Sequence, residues 1–188
     1  MTLLFCMLLA VQPRFLGPPE KNPDAGTVPA VQAGDAAPPL AGELEDSAAS
    51  ERRFDLAAIV GPAAIDPTRA VLIAFFAPGC AGCADELRVV RQLAAEYGPR
   101  GLRAVVVDVG TDGHEAGSLA PADAQGAVIR VMRDRWQVWA RRWLGSRPQL
   151  PALFVVDRDG TVRATAGACG REAVASLGAA IERAFRGG

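Results

Sequence analysis

Two apolar runs of strand length, joined by one amphipathic segment, constrain the fold of this chain more than any other feature. The first run is AVLIAFF at residues 70–76, and the second is LRAVVVDV at residues 102–109. Continuous apolar runs of this length are typical of strands that are covered on both faces of a sheet. The segment between them has apolar residues at helical spacing and ends at Gly98-Pro99, a usual helix exit. A strand, a helix and a second strand form a crossover unit, which predicts parallel pairing of the two strands.

The residues after this unit predict a hairpin and a closing helix. ALFVVD (152–157) and TVRATAG (161–167) are strand-like runs separated by the turn RDG, and residues 171–186 have an amphipathic helical pattern. AVIRVM (127–132) is either a further short strand or the start of a helix, and residues 135–145 predict a helix. The whole pattern predicts an α/β domain with a central mixed β-sheet flanked by helices.

Composition and charge narrow the classes of function. A chain of 188 residues, half of them apolar, is long enough for one domain with a core and a spare segment. The formal charge is -1 with the two signs intermixed, so no basic surface for nucleic acid is expected. Lys21, in the N-terminal region, is the only lysine. Schiff-base chemistry and lysine-base chemistry in the folded domain are therefore excluded.

The first 50 residues predict a leader and a tether. Residues 1–12 form an apolar stretch that is shorter than the roughly 20 residues of a membrane helix and is closer to the hydrophobic part of an export signal. No Lys or Arg precedes it, so a mis-assigned start or a disordered tail is the alternative. Residues 13–50 are rich in Pro, Ala and Gly without apolar periodicity, which predicts a disordered tether. The folded domain is then 51–188, in an exported or membrane-tethered, extracytoplasmic protein.

Cys80 and Cys83 form a Cys-x-x-Cys pair directly after the first strand. Such a pair is a redox couple, a structural disulfide or half of a zinc site. A closed zinc site needs four nitrogen or sulfur ligands, and the rest of the domain offers only Cys169 and His114. His114 lies in a turn-like stretch that is typical of a solvated loop residue, and copper binding usually needs a wider cysteine spacing. We therefore expect neither a metal nor a cofactor.

Two segments carry a resemblance to a known family. AVLIAFFAPGCAGCADEL (70–87) resembles the active-site segment of thioredoxin-fold proteins, and PQLPALFVVDRDGTVRA (148–164) resembles their proline-led strand and turn. GDAAPPL and the CADE spacing are similar to the TlpA/ResA-like extracytoplasmic branch. The resemblance covers residues 34–188 and implies a thioredoxin-like fold, thiol-disulfide oxidoreductase activity, protein disulfide or dithiol clients and a thiol electron donor. The chain departs from the family pattern at Gly79, where Trp is usual, and in lacking a proline between the cysteines.

Unequal roles for the two cysteines follow from their places on the predicted helix. A helix N-terminus stabilises a thiolate, and we place Cys80 at that position as the nucleophile. Cys83, one turn later, is then the resolving thiol that attacks the mixed disulfide formed by Cys80. The alternative is a non-catalytic thioredoxin-fold binding module, whose pair is a structural disulfide or a metal ligand. Ala81-Gly82 supplies no cation of the kind that stabilises the thiolate in strong oxidants, which favours a reductase.

Glu86 is the candidate proton carrier. The strand position that holds a buried acid in thioredoxin is Ala74 here, whereas Glu86 matches the glutamate of the ResA-like branch. Burial would raise the pKa of such a carboxyl group and suit it to take the proton of Cys83. The alternative is a solvated surface glutamate, as we expect Asp85 to be a solvated aspartate.

The resemblance also assigns a substrate-binding edge. The family keeps a cis-proline facing the dithiol, which leaves the preceding backbone free to pair with an extended substrate. Its position before ALFVVD favours Pro151, preceded by Leu150, over Pro148, and Gly79 completes the expected substrate-binding positions. Cys169, after the last strand, is expected near the same rim, as a third thiol or a packing residue.

Three tryptophans follow one another at helical spacing in the segment RWQVWARRWLG. They are Trp136, Trp139 and Trp143. A stripe of this kind predicts a core or helix-packing surface, with a partner-binding surface as the alternative.

Overall fold

A computed structural model describes residues 30–45, 52–77, 79–80, 82–110, 129–167 and 171–187. Its strands and helices are, in chain order, β1 (Ala41–Glu43), β2 (Arg53–Asp55), β3 (Ala70–Phe76), α1 (Cys83–Tyr97), β4 (Leu102–Asp108), β5 (Ile129–Arg133), α2 (Val138–Leu144), β6 (Ala152–Asp157), β7 (Val162–Ala166) and α3 (Arg171–Arg186). Two short 3-10 turns, Leu56–Ala58 and Gly98–Arg100, follow β2 and α1.

Five strands form the central sheet in the order β5-β4-β3-β6-β7. β4 is parallel to both β3 and β5, whereas β6 is antiparallel to both β3 and β7. The predicted crossover unit and hairpin are confirmed, and AVIRVM is resolved in favour of a strand. The remaining strands, β1 and β2, pair with each other as a separate antiparallel ribbon.

Each face of the sheet packs against its own core. Every residue of β3 is fully buried, because its successive side chains point to opposite faces and both faces are covered. Leu72 and Phe76 face a cluster that includes Leu87 of α1 and Ile181 of α3. Val71, Ile73 and Phe75 face a second cluster, which includes Phe54 of β2, Trp143 of α2 and Phe154 of β6.

The structure differs from the predicted tether in residues 30–45. This segment crosses the α2 face of the sheet from β7 to β5, where the Val162 amide donates to the Asp35 carbonyl at 2.9 Å and the Glu45 amide donates to the Val131 carbonyl at 2.9 Å. Leu40, between these contacts, is only 1% exposed. Backbone pairing at two sheet edges offsets the entropy of ordering the segment. Its buried residues, Val31 and Leu40, are too far apart in the sequence to form a helical or strand pattern. The folded domain therefore begins before residue 51.

Among the helices of the described residues, none has the length and apolar character needed to cross a bilayer. The predicted leader at residues 1–12, and the tether residues 13–29 and 46–50, lie outside the described residues.

Candidate active site

The Cys pair occupies the turn between β3 and α1. The Cys80 amide donates to the Ala77 carbonyl at 3.2 Å, and the Cys83 amide donates to the Cys80 carbonyl at 3.3 Å. Cys80 and Cys83 form a disulfide, with their Cα atoms 5.5 Å apart. The pair therefore sits at the carboxyl end of a fully buried central strand, on a turn closed by its own backbone.

The start of α1 differs from the sequence prediction. The helix begins at Cys83, and its N-cap residue Gly82 has a left-handed backbone with φ of 84°. That backbone is accessible to glycine at little cost and interrupts the helix between the two cysteines. The prediction that Cys80 occupies the helix terminus, with Cys83 one turn later, is therefore wrong. Cys83 is the first helical residue, and Cys80 lies in the turn in front of it.

The two sulfur-bearing residues differ in accessibility. Cys83 is 8% exposed and packs in the core, whereas Cys80 is half-buried at the edge of the same cluster. Gly79, next to Cys80, is exposed with φ of 76°, and a Cβ placed there would meet no atom within 4 Å among the other described residues beyond its chain neighbours. Within the described part of the chain, Cys80 is therefore partly exposed and Cys83 is enclosed.

Glu86 lies on the buried face of α1. That face also carries Cys83, Leu87 and Val90, and Glu86 itself is 0% exposed. The alternative of a solvated surface glutamate is therefore wrong, and the part of Glu86 as proton carrier stays a prediction. Asp85, by contrast, is exposed and forms an ion pair with Arg88 at the surface.

The proline-led edge lies at the same end of the sheet as the Cys pair. The Leu150-Pro151 peptide bond is cis, as the resemblance predicts, whereas Pro148 lies two residues before it in an exposed stretch. β6 runs antiparallel to β3 with Ala152 opposite Phe75, so Pro151 is next to the point where β3 leaves the sheet. Leu150 is half-buried and Pro151 is buried.

Two residues that the sequence brought into question cannot be compared with the site. The possible third thiol, Cys169, and the loop residue His114 lie outside the described residues. Within the described ranges, no group of three or more His, Cys, Asp or Glu side chains is arranged to hold a metal ion.

The tryptophan stripe is only partly a packing surface. Trp143 is fully buried against Phe75 and Phe154, which confirms the predicted core role for this residue. Trp136 is 76% exposed, because α2 begins only at Val138 and helical spacing does not extend back to Trp136. Its polar neighbours in the sequence, an arginine and a glutamine, were the one signal of this exposure.

Comparisons with known proteins identify a sequence family and several similar folds. Residues 33–165 match the AhpC/TSA family model. The fold is similar to a protein described as thiol:disulfide interchange protein DsbE from Chlorobium tepidum (22% identity, TM-score 0.61), with 83% of this chain and 99% of that chain covered. It is also similar to the thioredoxin domain of a thiol-disulfide oxidoreductase from Bacteroides vulgatus (16% identity, TM-score 0.59; 82% and 98% covered).

A third similar structure is a reduced 2-Cys peroxiredoxin from Plasmodium vivax (17% identity, TM-score 0.57), with 83% of this chain and 99% of that chain covered. No curated protein sequence matches the chain significantly. At these identities the structures establish the fold, a mixed α/β thioredoxin-like fold, and the family match spans well over half of the chain. The chain therefore belongs to the AhpC/TSA family and has a thioredoxin-like fold.

Proposed function

We propose that this protein reduces disulfides of protein clients through the Cys80/Cys83 couple. The observation that carries the proposal is the asymmetry of the pair: Cys80 is accessible, while Cys83 is enclosed and is followed one turn later by the buried Glu86. A structural disulfide does not need one exposed and one enclosed cysteine. A catalytic couple does need this difference, because one sulfur must bind the client and the other must release it.

The proposed cycle transfers two electrons from the enzyme to the client. In the reduced enzyme the Cys80 thiolate attacks one client sulfur, which breaks the client disulfide, forms a mixed disulfide and releases the other client sulfur as a thiolate. The Cys83 thiol passes its proton to the Glu86 carboxylate, and the Cys83 sulfur attacks Cys80. This step releases the second client thiolate and leaves the Cys80–Cys83 disulfide. An external thiol donor then returns the couple to the dithiol.

Geometry supports the assignment of Cys80 as the attacking sulfur. The N-terminus of α1 follows Cys80 by three residues, and unpaired amides at such a terminus stabilise negative charge in front of them. Cys83 is itself inside the helix and 8% exposed, so a folded client meets Cys80 first. The nucleophile is thus assigned on access rather than on the helical position that the sequence predicted.

The client segment is proposed to lie along the edge formed by Gly79 and the Leu150-Pro151 peptide. Gly79 leaves its surroundings open, and β6 brings Pro151 to the end of β3. The resemblance to thioredoxin-fold proteins gives the backbone of Leu150 the role of pairing with an extended client.

The proposal also includes the direction of electron flow, from the protein to its client, and the location of the protein in the cell. Ala81-Gly82 places no cationic side chain between the cysteines, which supports a reducing couple. The apolar leader and the likeness to the TlpA/ResA-like branch support an extracytoplasmic site, periplasmic or membrane-tethered. Both follow from sequence features rather than from the geometry of the site.

A single-turnover experiment tests the proposal. The reduced full-length protein is mixed with a stoichiometric amount of insulin, and free insulin thiols and the oxidation state of the couple are measured by mass spectrometry. We expect two client thiols to appear for each Cys80–Cys83 disulfide formed, with no reaction by Cys80→Ser. A parallel reaction with hydrogen peroxide covers the peroxiredoxin likeness. Oxidation by peroxide without insulin reduction, or an inert pair, would overturn the proposal.

A further inference from the structure

We propose that a groove beside Trp136 binds a client segment in which a basic side chain is flanked by apolar ones. The groove has a volume of about 610 Å³ and lies between the end of β1, the end of β5 and the start of α2. The residues that carry the inference are Glu43, Glu45, Arg133, Trp136, Val138 and Trp139. This inference rests on the proposed function, because it names the class of client that the redox site receives.

The groove is at the same end of the sheet as the Cys pair. β3, β4 and β5 are parallel, and their last residues, Phe76, Asp108 and Arg133, are in register. Hydrogen bonds continue this row beyond the strands, since the Val109 amide donates to the Phe76 carbonyl at 2.8 Å and the Asp134 amide donates to the Asp108 carbonyl at 2.7 Å. Two strand spacings of about 4.8 Å separate the ends of β3 and β5, a distance that about three residues of extended chain cover. A segment flanking a client disulfide therefore has the reach to occupy the groove.

The exposed apolar side chains of the groove are held in place by the backbone of the turn that carries them. Three large apolar side chains of the described residues are exposed, and two of them, Trp136 (76%) and Val138 (44%), line the groove. Between them Gln137 has φ of 53°, a left-handed backbone that is uncommon for a residue with a side chain. Asp134, 4% exposed, accepts hydrogen bonds from the Val138 and Ala140 amides, both at 2.8 Å. The buried aspartate and the special backbone fix the direction of this turn, so the exposed tryptophan is not the frayed end of a helix.

The charges of the groove favour a cationic partner. The Arg133 Nε atom lies 2.9 Å from a Glu45 carboxylate oxygen and 3.9 Å from an oxygen of the buried Asp108, so its positive charge is balanced within the protein. Glu43 is exposed at the rim, and Arg135 is the remaining cation of the lining. The lining holds three carboxyl groups, of Glu43, Glu45 and Asp134, and the two guanidinium groups of Arg133 and Arg135.

An indole of this groove already binds a guanidinium group. Arg142 lies over the ring of Trp139 with its Cζ atom 5.4 Å from the ring centroid. The ring of Trp136 offers a second and more exposed face of the same kind. A cation over an exposed indole is stabilised by about 0.5–1 kcal/mol. An Arg or Lys side chain of a client can contact the Trp136 ring and is attracted by the Glu43 carboxylate. The apolar residues beside it in the client can pack against Val138.

Two disulfide peptides test the inference. They share one Cys–Cys loop and differ only in the flank, Leu-Arg-Phe-Arg in one and Leu-Glu-Phe-Glu in the other. We expect the reduced full-length protein to show a KM about three- to fivefold lower for the basic flank, with similar kcat, as contacts of this size imply. Trp136→Ala should remove the preference, and Glu43→Gln should reduce it.

Two control variants separate the effect of the groove from the general effect of removing an exposed apolar side chain or an exposed carboxylate. Ile65→Ala removes another exposed apolar side chain, which precedes β3 at the opposite end of the sheet, and should keep the preference. Asp159→Asn removes an exposed carboxylate from the β6-β7 turn and should also keep it. A small disulfide without a flank should be reduced at equal rates by all five proteins.

A direct binding measurement separates this inference from the proposed function. Cysteine-free versions of the two peptides are titrated into the oxidised protein by calorimetry, so the result does not depend on redox activity. Tighter binding of the basic peptide that Trp136→Ala abolishes supports the groove even if neither disulfide peptide is reduced, an outcome that would count only against the proposed function. Equal binding of the two peptides, a preference that survives Trp136→Ala, or self-association of the protein that Trp136→Ala abolishes would overturn the inference.

Discussion

Glu86 lies one helical turn beyond Cys83 on the buried face of α1, where Glu86 is 0% exposed and Cys83 is 8% exposed. Residues three apart on a helix are neighbours, so this carboxyl group stays beside the enclosed thiol. A surface glutamate would exchange protons with solvent and have no particular relation to one cysteine. The burial of Glu86 therefore supports its proposed part as the acceptor of the Cys83 proton, a part that Ala74, on the strand before the pair, cannot take.

Glu86→Gln tests that role. We expect the variant to fold normally and to reduce a protein disulfide about a hundredfold more slowly, since a positioned acid or base typically contributes about 100-fold or more. The wild-type rate should rise with pH as the Glu86 carboxyl group ionises. This rise should be absent in the variant, because a glutamine side chain does not ionise in this pH range. Stopped-flow turnover between pH 4 and 8 makes the measurement.

Asp85→Asn is the matched control for this variant. It removes an exposed carboxylate from the adjacent position, and its rate and pH profile should follow the wild type. An unchanged thiol titration together with an unchanged rate in Glu86→Gln would leave Glu86 without a part in the chemistry.

Unequal reactivity of the two thiols is a second expectation. In the reduced protein Cys80 should be alkylated at least tenfold faster than Cys83, because Cys83 is enclosed by the core. Cys83→Ala should accumulate mixed disulfides between Cys80 and a client, since the resolving sulfur is gone. Peptide mapping after limited iodoacetamide treatment gives both rates. Faster modification of Cys83 would reverse the assigned roles.

Much of the fold could be predicted because it depends on periodicity and on chain order. In the run AVLIAFF the residues that point to either face of the strand are all apolar. This pattern is typical of a central strand that is covered on both faces. The segment 30–45 could not be predicted, because its two buried apolar residues, Val31 and Leu40, lie far apart in the sequence and much of its order comes from backbone pairing with β5 and β7. Backbone hydrogen bonds of that kind leave little trace in side-chain composition.

At the site, residue identities were easier to predict than the local backbone. The pair Cys80/Cys83 and the cis bond before Pro151 were expected from the sequence and its resemblance, whereas the burial of Glu86 was one of two alternatives that the sequence left open. The first helical residue was not, because Gly82 permits either a helical or a left-handed conformation and the sequence alone does not choose. Trp136 was missed for a related reason, since the helical spacing of the stripe suggested a helix that in fact begins two residues later.

The tryptophan stripe divides into a core residue and a surface residue, which predicts opposite effects on stability. Trp143→Ala should lower the free energy of unfolding by about 3–5 kcal/mol, because it empties a site between Phe75 and Phe154. Trp136→Ala should change that free energy by no more than about 0.5 kcal/mol, as exposed positions usually do. Urea unfolding of both variants makes the comparison. Equal losses would contradict the assigned burial.

An ion pair at the other end of the sheet predicts the acid dependence of stability. Arg100 donates two hydrogen bonds to Glu182, at 2.6 and 2.9 Å, and these hold the pKa of Glu182 below its usual value of 4.5. A carboxyl group whose pKa is lowered by folding stabilises the protein above its unfolded pKa, and that stabilisation is lost as the pH falls through the folded pKa. Between about pH 5 and 3, the Tm of the wild type should therefore fall more steeply than that of Glu182→Gln. Asp159→Asn should follow the wild type, and parallel curves for wild type and Glu182→Gln would contradict the expectation.

The reduction potential of the Cys80/Cys83 couple tests the central claim most directly. The protein is equilibrated with glutathione or dithiothreitol buffers, and the fraction of disulfide is measured by mass spectrometry after acid quenching. A couple that reduces protein disulfides should have a potential more negative than about −180 mV, the value of protein disulfide isomerase, and approach the roughly −270 mV of thioredoxin. A potential more positive than about −180 mV, towards the roughly −120 mV of a strong oxidant, or a disulfide that no buffer reduces in the folded protein, would contradict it.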